Sequence, residues 1–115
     1  MSKANVFFEQ DKMEWEILED KISRQIVGYD DTMMMVNVKF KKDGVGQIHN
    51  HIHTQSTHIS SGKFEVTIGD EKKILKEGDS FFVPSNIMHG VVCLEEGMLI
   101  DVFNPVRKDF LENKI

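Results

Sequence analysis

Ile48-His49-Asn50-His51-Ile52-His53-Thr54-Gln55, closed by Gly62, is the stretch whose reading decides the fold. It has a counterpart downstream in Gly78-Asp79-Ser80-Phe81-Phe82-Val83-Pro84-Ser85-Asn86-Ile87-Met88-His89. Side chains on an extended strand alternate between faces, so His49 and His51 project to one side and both imidazoles can reach a single ion. Gln55, and His89 from the second segment, supply the donors that close a coordination sphere. The pattern predicts one metal site assembled from two segments, with His49, His51, Gln55 and His89 as ligands.

Three imidazoles and an amide carbonyl are neutral nitrogen and oxygen donors. They suit one divalent transition metal ion from the group Ni, Zn, Fe, Mn and Co, and the lack of nearby thiolates argues against a structural zinc finger. With neutral ligands only, the ion keeps its full double charge and favours an anionic ligand. His53 shares the parity of His49 and His51 only if the strand stays straight through Thr54, and it reads as a rim residue. His58 lies an odd number of residues from Gln55 and belongs on the opposite face, in sheet packing or a subunit contact. Met33-Met34-Met35 reads as strand packing, since thioethers fill irregular cores and suit soft metals rather than this donor set.

Outward from the two segments, short β-type runs alternate with turn residues at the spacing of an all-β barrel or sandwich. The expected strands are Ile22 to Tyr29, Met33 to Phe40, one that ends at His49-His51, Lys73 to Leu75, Ser80 to Val83, His89 to Leu94 and Met98 to Phe103. Gln55 to Ser60 and Lys63 to Ile68 flank Ser61-Gly62, which carries a hairpin signal. One domain over residues 1–115 is expected: a core at about 33–103, an N-terminal covering segment 1–32 and a C-terminal tail 104–115. Asp11 to Asp20 fits an edge strand or a short helix, and Asp109 to Ile115 a helical turn or a frayed end.

The chain has 115 residues, with 14 basic and 19 acidic side chains and a net charge of −5. The charges are interspersed, so neither a nucleic acid nor an anionic membrane is an expected partner. A single cysteine, Cys93 between Val92 and Leu94, excludes an intrachain disulfide framework and reads as a small buried hydrophobe. With no leader-like or membrane-length apolar run, a soluble cytoplasmic protein is the expectation.

The two segments resemble the paired signatures of the cupin family. The first signature runs Gly, His-x-His, Glu or a substitute, Gly, and His49, His51, Gln55 and Gly62 fall in register with Asp43 at the place of the opening Gly. The second runs Gly, Pro, Gly, His, matched by Gly78, Pro84 and His89 with Asn86 at the place of the second Gly. Gln55 stands where Glu is usual. This resemblance implies a cupin-type double-stranded β-helix, a small jelly-roll barrel.

Further stretches narrow it: Gly62-Lys63-Phe64-Glu65-Val66, Pro84-Ser85-Asn86, and above all Leu99-Ile100-Asp101-Val102-Phe103-Asn104-Pro105-Val106-Arg107-Lys108-Asp109-Phe110. Together they resemble the pectin-degradation cupins of the uronate-ketonising type. That resemblance implies a small anionic sugar as substrate, with ring opening and ketonisation of unsaturated uronates from pectin or alginate. It implies Asp101 as general acid and base, Arg107 as a bidentate carboxylate clamp and Phe103 lining the sugar face. The rival readings are a noncatalytic cupin that binds acidic sugars, a metal-dependent dioxygenase, and a storage-type module. A homodimer is expected from the small barrel and from outer positions such as His58 and the segment around Trp15.

Overall fold

Alternation along Met34-Met35-Val36-Asn37-Val38-Lys39-Phe40 turns Met34, Val36 and Phe40 to the buried side of a strand, and the same period of two organises the rest of the fold. The computed structural model describes residues 6–112. A 3-10 turn at Gln10–Lys12 precedes β1 (Glu16–Glu19), β2 (Ile22–Tyr29), β3 (Met34–Phe40), β4 (Val45–His49), β5 (Thr54–Ile68), β6 (Glu71–Lys76), β7 (Ser80–Val83) and β8 (His89–Asn104). A short helix α1 (Lys108–Glu112) follows. Every pairing is antiparallel, in the order β1-β2-β3-β8-β5-β6, with β4 added on β8 and β7 on β5.

Two long strands close the barrel. One end of β8 pairs with β4 at Val91 and Val92, and its other end pairs with β3 from Gly97 to Phe103. In β5, Gln55 to His58 pairs with β7 while Lys63 to Ile68 pairs with β6. Each long strand therefore passes from one layer to the other, and the two remain paired together from Thr54↔Asn104 to Ile68↔His89.

This arrangement corrects the expected hairpin at Ser61-Gly62 and the expected division of His89 to Phe103 into two strands. The register shifts between Ile59 and Phe64, where the strands bend. Gly62 sits at φ 87°, and a Cβ there would lie 2.6 Å from the Glu95 carbonyl oxygen. A Ser-Gly pair signals a turn because glycine accepts positive φ, but here that freedom serves a bulge that bends two paired strands together. The strand expected to end at His49-His51 stops at His49, and His51 lies in the following loop.

Other expectations meet their elements. Ile22–Tyr29 and Ser80–Val83 are strands with those bounds. The Asp11 to Asp20 segment holds part of the 3-10 turn and the edge strand β1. The predicted helical turn begins at Lys108, while residues 113–115, like residues 1–5 of the covering segment, lie outside the described part. No described helix is long and apolar enough to cross a membrane.

The signature positions share one backbone property. Asp43 has φ 73° and Asn86 φ 66°, and they are the non-glycine residues with positive φ among the described ones; Gly62 and Gly78 are at 87° and 92°. The fold asks for a left-handed residue at each place, and Asp and Asn are the side chains that tolerate it best.

Inside the barrel, Ile22, Phe40, Ile59, Phe64, Val66, Cys93 and Leu99 form one apolar cluster. Met34, Val36, Phe103 and Val106 form a second, with Phe110 and Leu111 of α1 packed against it. Cys93 is wholly buried, as expected for a small hydrophobe. Between the clusters lies a cavity of about 250 Å³ lined by residues of both.

Candidate metal centre and its cavity

His49 closes β4, directly opposite His89 at the start of β8, and the loop after His49 brings His51 alongside. Ligand nitrogens of the three imidazoles lie within 4.8 Å of one another. The ring centroids are 4.5 Å apart for His49 and His89, 4.7 Å for His51 and His89, and 5.4 Å for His49 and His51. The loop is held in place by backbone contacts: the Asn86 N–H donates to the His51 carbonyl at 2.7 Å, and the Ser85 hydroxyl donates to the Ile52 carbonyl at 2.6 Å.

Each imidazole is oriented in the same way. The Nδ1–H of His49 donates to the Gln47 carbonyl at 2.7 Å, that of His51 to the His53 carbonyl at 2.9 Å, and that of His89 to the Ile87 carbonyl at 2.9 Å. A carbonyl only accepts, so on His49 and His89 the proton belongs on Nδ1 and Nε2 keeps its lone pair, whereas His51 has an oxygen acceptor at each ring nitrogen, the His53 carbonyl at Nδ1 and the Gln55 Oε1 at Nε2. The His89 Nε2 is buried without a hydrogen-bond partner among the described residues. Burial holds the His89 ring down at about 4 and also lowers His51, to which the Arg107 charge adds. An imidazole ligates a metal through an unprotonated ring nitrogen, the form that a lowered pKa favours. This cluster can hold a divalent ion, and its donor chemistry fits one.

Gln55, buried on β5, brings its Oε1 to 3.1 Å from the His51 Nε2. Its amide nitrogen donates to the Thr57 hydroxyl at 2.9 Å and lies 3.5 Å from Asp101 Oδ1. Thr57 in turn donates to Asp101 Oδ1 at 2.7 Å. The Asp101 carboxyl is pushed up to about 6 by burial, against the Thr57 hydrogen bond and the Arg107 charge, which both favour its ionised form. The cluster is thus joined through Gln55 and Thr57 to one carboxyl of raised pKa.

Phe103 is buried, with its ring 5.8 Å from that of His51 and 5.7 Å from that of Phe110. Arg107 is buried too, its guanidinium 4.2 Å from the Phe110 centroid and 5.0 Å from that of Phe103. Its Nε and Nη2 donate to the two carboxylate oxygens of Asp109 at 3.0 and 2.8 Å, so this fork already grips an internal partner. Those hydrogen bonds hold Asp109 below the usual carboxylate range. His49, Gln55, His89, Asp101, Phe103 and Arg107 all line the one cavity.

His53 stands beside the cluster, its ring 5.4 Å from that of His51, with a buried Nδ1 that has no partner among the described residues. Desolvation and the Arg107 charge lower its pKa. His58 is exposed on the outer face of β5 and bonded to Ser80, in agreement with its parity. Sequence reasoning passed over Thr57 and Arg24 and gave Phe110 no role beyond its place in the Leu99-to-Phe110 stretch; Thr57 bonds Asp101, and Arg24 and Phe110 line the cavity. Arg24 had a signal: it interrupts the inward-facing apolar alternation of Ile22 and Ile26.

Comparison with known proteins agrees with this architecture. A cupin domain model matches residues 36–103. The pectin degradation protein KdgF of Dickeya dadantii (strain 3937) is 50% identical over 107 residues, covering 91% of this chain and 97% of that protein. An RmlC-like cupin from Shewanella frigidimarina NCIMB 400 superposes with a TM-score of 0.91 at 37% identity, over 96% of this chain and 99% of its own. KdgF from Halomonas sp. superposes with a TM-score of 0.89 at 40% identity, over 91% of this chain and 99% of its own. With both signatures folded against one cavity and likeness along nearly its whole length, the chain belongs to the cupin family, in the group that contains the Dickeya pectin degradation protein.

Proposed function

We propose that this protein opens and ketonises unsaturated uronates derived from pectin or alginate. The observation that carries the reading is Asp101: a carboxyl of raised pKa, bonded to Thr57, in the same cavity as His49, His89 and Gln55. The likeness to a protein named for pectin degradation supports the choice of substrate. His49, His51, His89 and Gln55 would hold one divalent transition ion, which when bound supplies a fixed positive charge for a substrate oxygen.

The reaction asks for two proton movements. The anomeric hydroxyl loses a proton as its carbonyl forms and the bond to the ring oxygen breaks; the enol carbon then gains one, leaving the open-chain keto acid. Asp101 is suited to both, because a carboxyl with a pKa of about 6 exchanges protons readily near neutrality. Thr57 fixes its orientation, and the Phe103 ring excludes water from one wall. Arg107 contributes positive charge toward the substrate carboxylate, with Asp109 setting the plane of its guanidinium. In this reading the protein is a cytoplasmic homodimer that works on a small anionic sugar without nucleic acid or membrane.

The test is turnover. Unsaturated galacturonate, or its alginate-derived counterpart, should lose its conjugated far-ultraviolet absorbance faster with metal-loaded protein than with chelated protein or buffer. Equal decay in all three, for both sugars and several divalent metals, would reject the enzymatic reading in favour of a binding module.

A further inference from the structure

Across neighbouring strands the register aligns Ile59, Leu99, Val38 and Arg24. The first three are aliphatic, and the fourth is an arginine on β2 with only 7% of its surface exposed. It has the parity of Ile22 and lines the same cavity as His49, His89 and Asp101. Stability alone does not call for a guanidinium in such a row, since replacing a buried ion pair by apolar side chains is commonly neutral or stabilising.

Two contacts fix Arg24. Its Nε donates to Glu16 Oε1 of the edge strand at 2.9 Å, and its guanidinium carbon lies 4.0 Å from the centroid of the Phe110 ring. Arg107 is 4.2 Å from that same centroid, so one aromatic ring of α1 gathers two cations at the cavity. They differ in what they have left to give. Arg107 spends Nε and Nη2 on a two-point grip of Asp109. Arg24 is held through Nε, and its two terminal nitrogens make no hydrogen bond among the described residues.

We propose that Arg24 is a specificity-determining residue of this cavity, binding the carboxylate of an acidic sugar with its terminal nitrogens while Glu16 and Phe110 hold the guanidinium in place. A planar guanidinium matches a carboxylate in two-point geometry, which a lysine ammonium does not reproduce. The proposal rests on the uronate reading for its substrate, but it concerns carboxylate recognition and is measurable without turnover.

The experiment uses the full metal-loaded chain with Arg24→Lys and Arg24→Met. Initial rates on unsaturated galacturonate are measured beside calorimetric binding of saturated galacturonate and of neutral galactose. Arg24→Met should raise KM and weaken galacturonate binding by about tenfold or more, with a smaller change in kcat and none in galactose binding. Arg24→Lys should fall between the variant and the wild type, which a purely packing role would not produce. Wild-type KM and galacturonate affinity in both variants would overturn the proposal while leaving the ketonising function intact. A fall in kcat alone, with both binding measures unchanged, would overturn it as well. If the wild type binds galacturonate through Arg24 but turns over no uronate, the ketonising function fails and the carboxylate site stands. A wild type that binds no galacturonate defeats both.

Discussion

The Oε1 of Gln55 stands 3.1 Å from the Nε2 of His51, within hydrogen-bond distance. The His51 Nδ1 lies 2.9 Å from the His53 carbonyl, so both ring nitrogens face an oxygen acceptor and a neutral ring can donate to only one. The Gln55 amide nitrogen is turned toward Thr57 and Asp101, where an ionised carboxylate can only accept. With the proton on Nδ1, two lone pairs face one another near the unpartnered Nε2 of His89; with it on Nε2, His51 donates to Gln55. In the first tautomer a cation among them would turn a repulsive contact into coordination, and on that ground we propose Gln55 as a fourth ligand beside the three histidines.

Metal content follows directly. Wild-type protein should bind one divalent ion per chain, and His49→Ala combined with His89→Ala should bind none while keeping its β-rich circular dichroism. Gln55→Ala should weaken binding by about tenfold or more in chelator competition, and Gln55→Glu should strengthen it by adding a charge. One tightly held ion in the double histidine variant would end the assignment.

Asp101→Asn retains shape and cannot titrate. Turnover of unsaturated galacturonate should fall by about a hundredfold or more, with metal content and unfolding midpoint little changed. A variant with near-wild-type kcat would remove Asp101 from the chemistry.

The Arg107–Asp109 pair has a pH signature. Its folded pKa is lowered below the unfolded carboxylate value, so its contribution is present above that value and is lost as pH falls through the folded one. The Asp109 side chain is 55% exposed, which limits that contribution to under about 1 kcal/mol. Urea denaturation of Asp109→Asn should therefore show a small deficit at pH 7 that closes in strong acid. A deficit that grew on acidification would contradict the pairing. Arg107→Lys keeps the charge without the fork and should chiefly raise KM.

Asp43 tests the backbone demand of the signature. Asp43→Gly should change stability by less than about 1 kcal/mol, because relief of left-handed strain is offset by added freedom of the unfolded chain. Asp43→Val places a β-branched residue at φ 73° and should cost about 1–3 kcal/mol in urea unfolding. Equal stability of the two variants would show that the position imposes no such demand.

Edge strand β1 leaves Ile17 77% and Leu18 46% exposed, the kind of edge that association covers. Light scattering should give twice the 13.3 kDa chain mass, and Ile17→Lys should shift it toward the single chain. A wild-type monomer at high concentration would reject the dimer.

The sequence by itself determined the period-two strands, the positions of both signatures and the histidines that cluster, His49, His51 and His89, with Gln55 proposed beside them. Those features are local: parity is fixed by backbone geometry, and a left-handed turn restricts the residue that fills it. The Asp101-to-Phe110 tail was legible only through its resemblance to the uronate-ketonising cupins. Ser61-Gly62 misled because positive φ serves a reversal and a bulge equally well, and only the pairing of β5 with β8 across its full length decides between them. The carbonyls that orient each imidazole, the Thr57 link to Asp101 and the capture of Arg107 by Asp109 depend on distances between groups and on rotamers, which spacing does not encode. Arg24 lies 77 residues before Asp101 in the numbering, and only closure of β2, β3 and β8 into one wall brings the two to a common cavity.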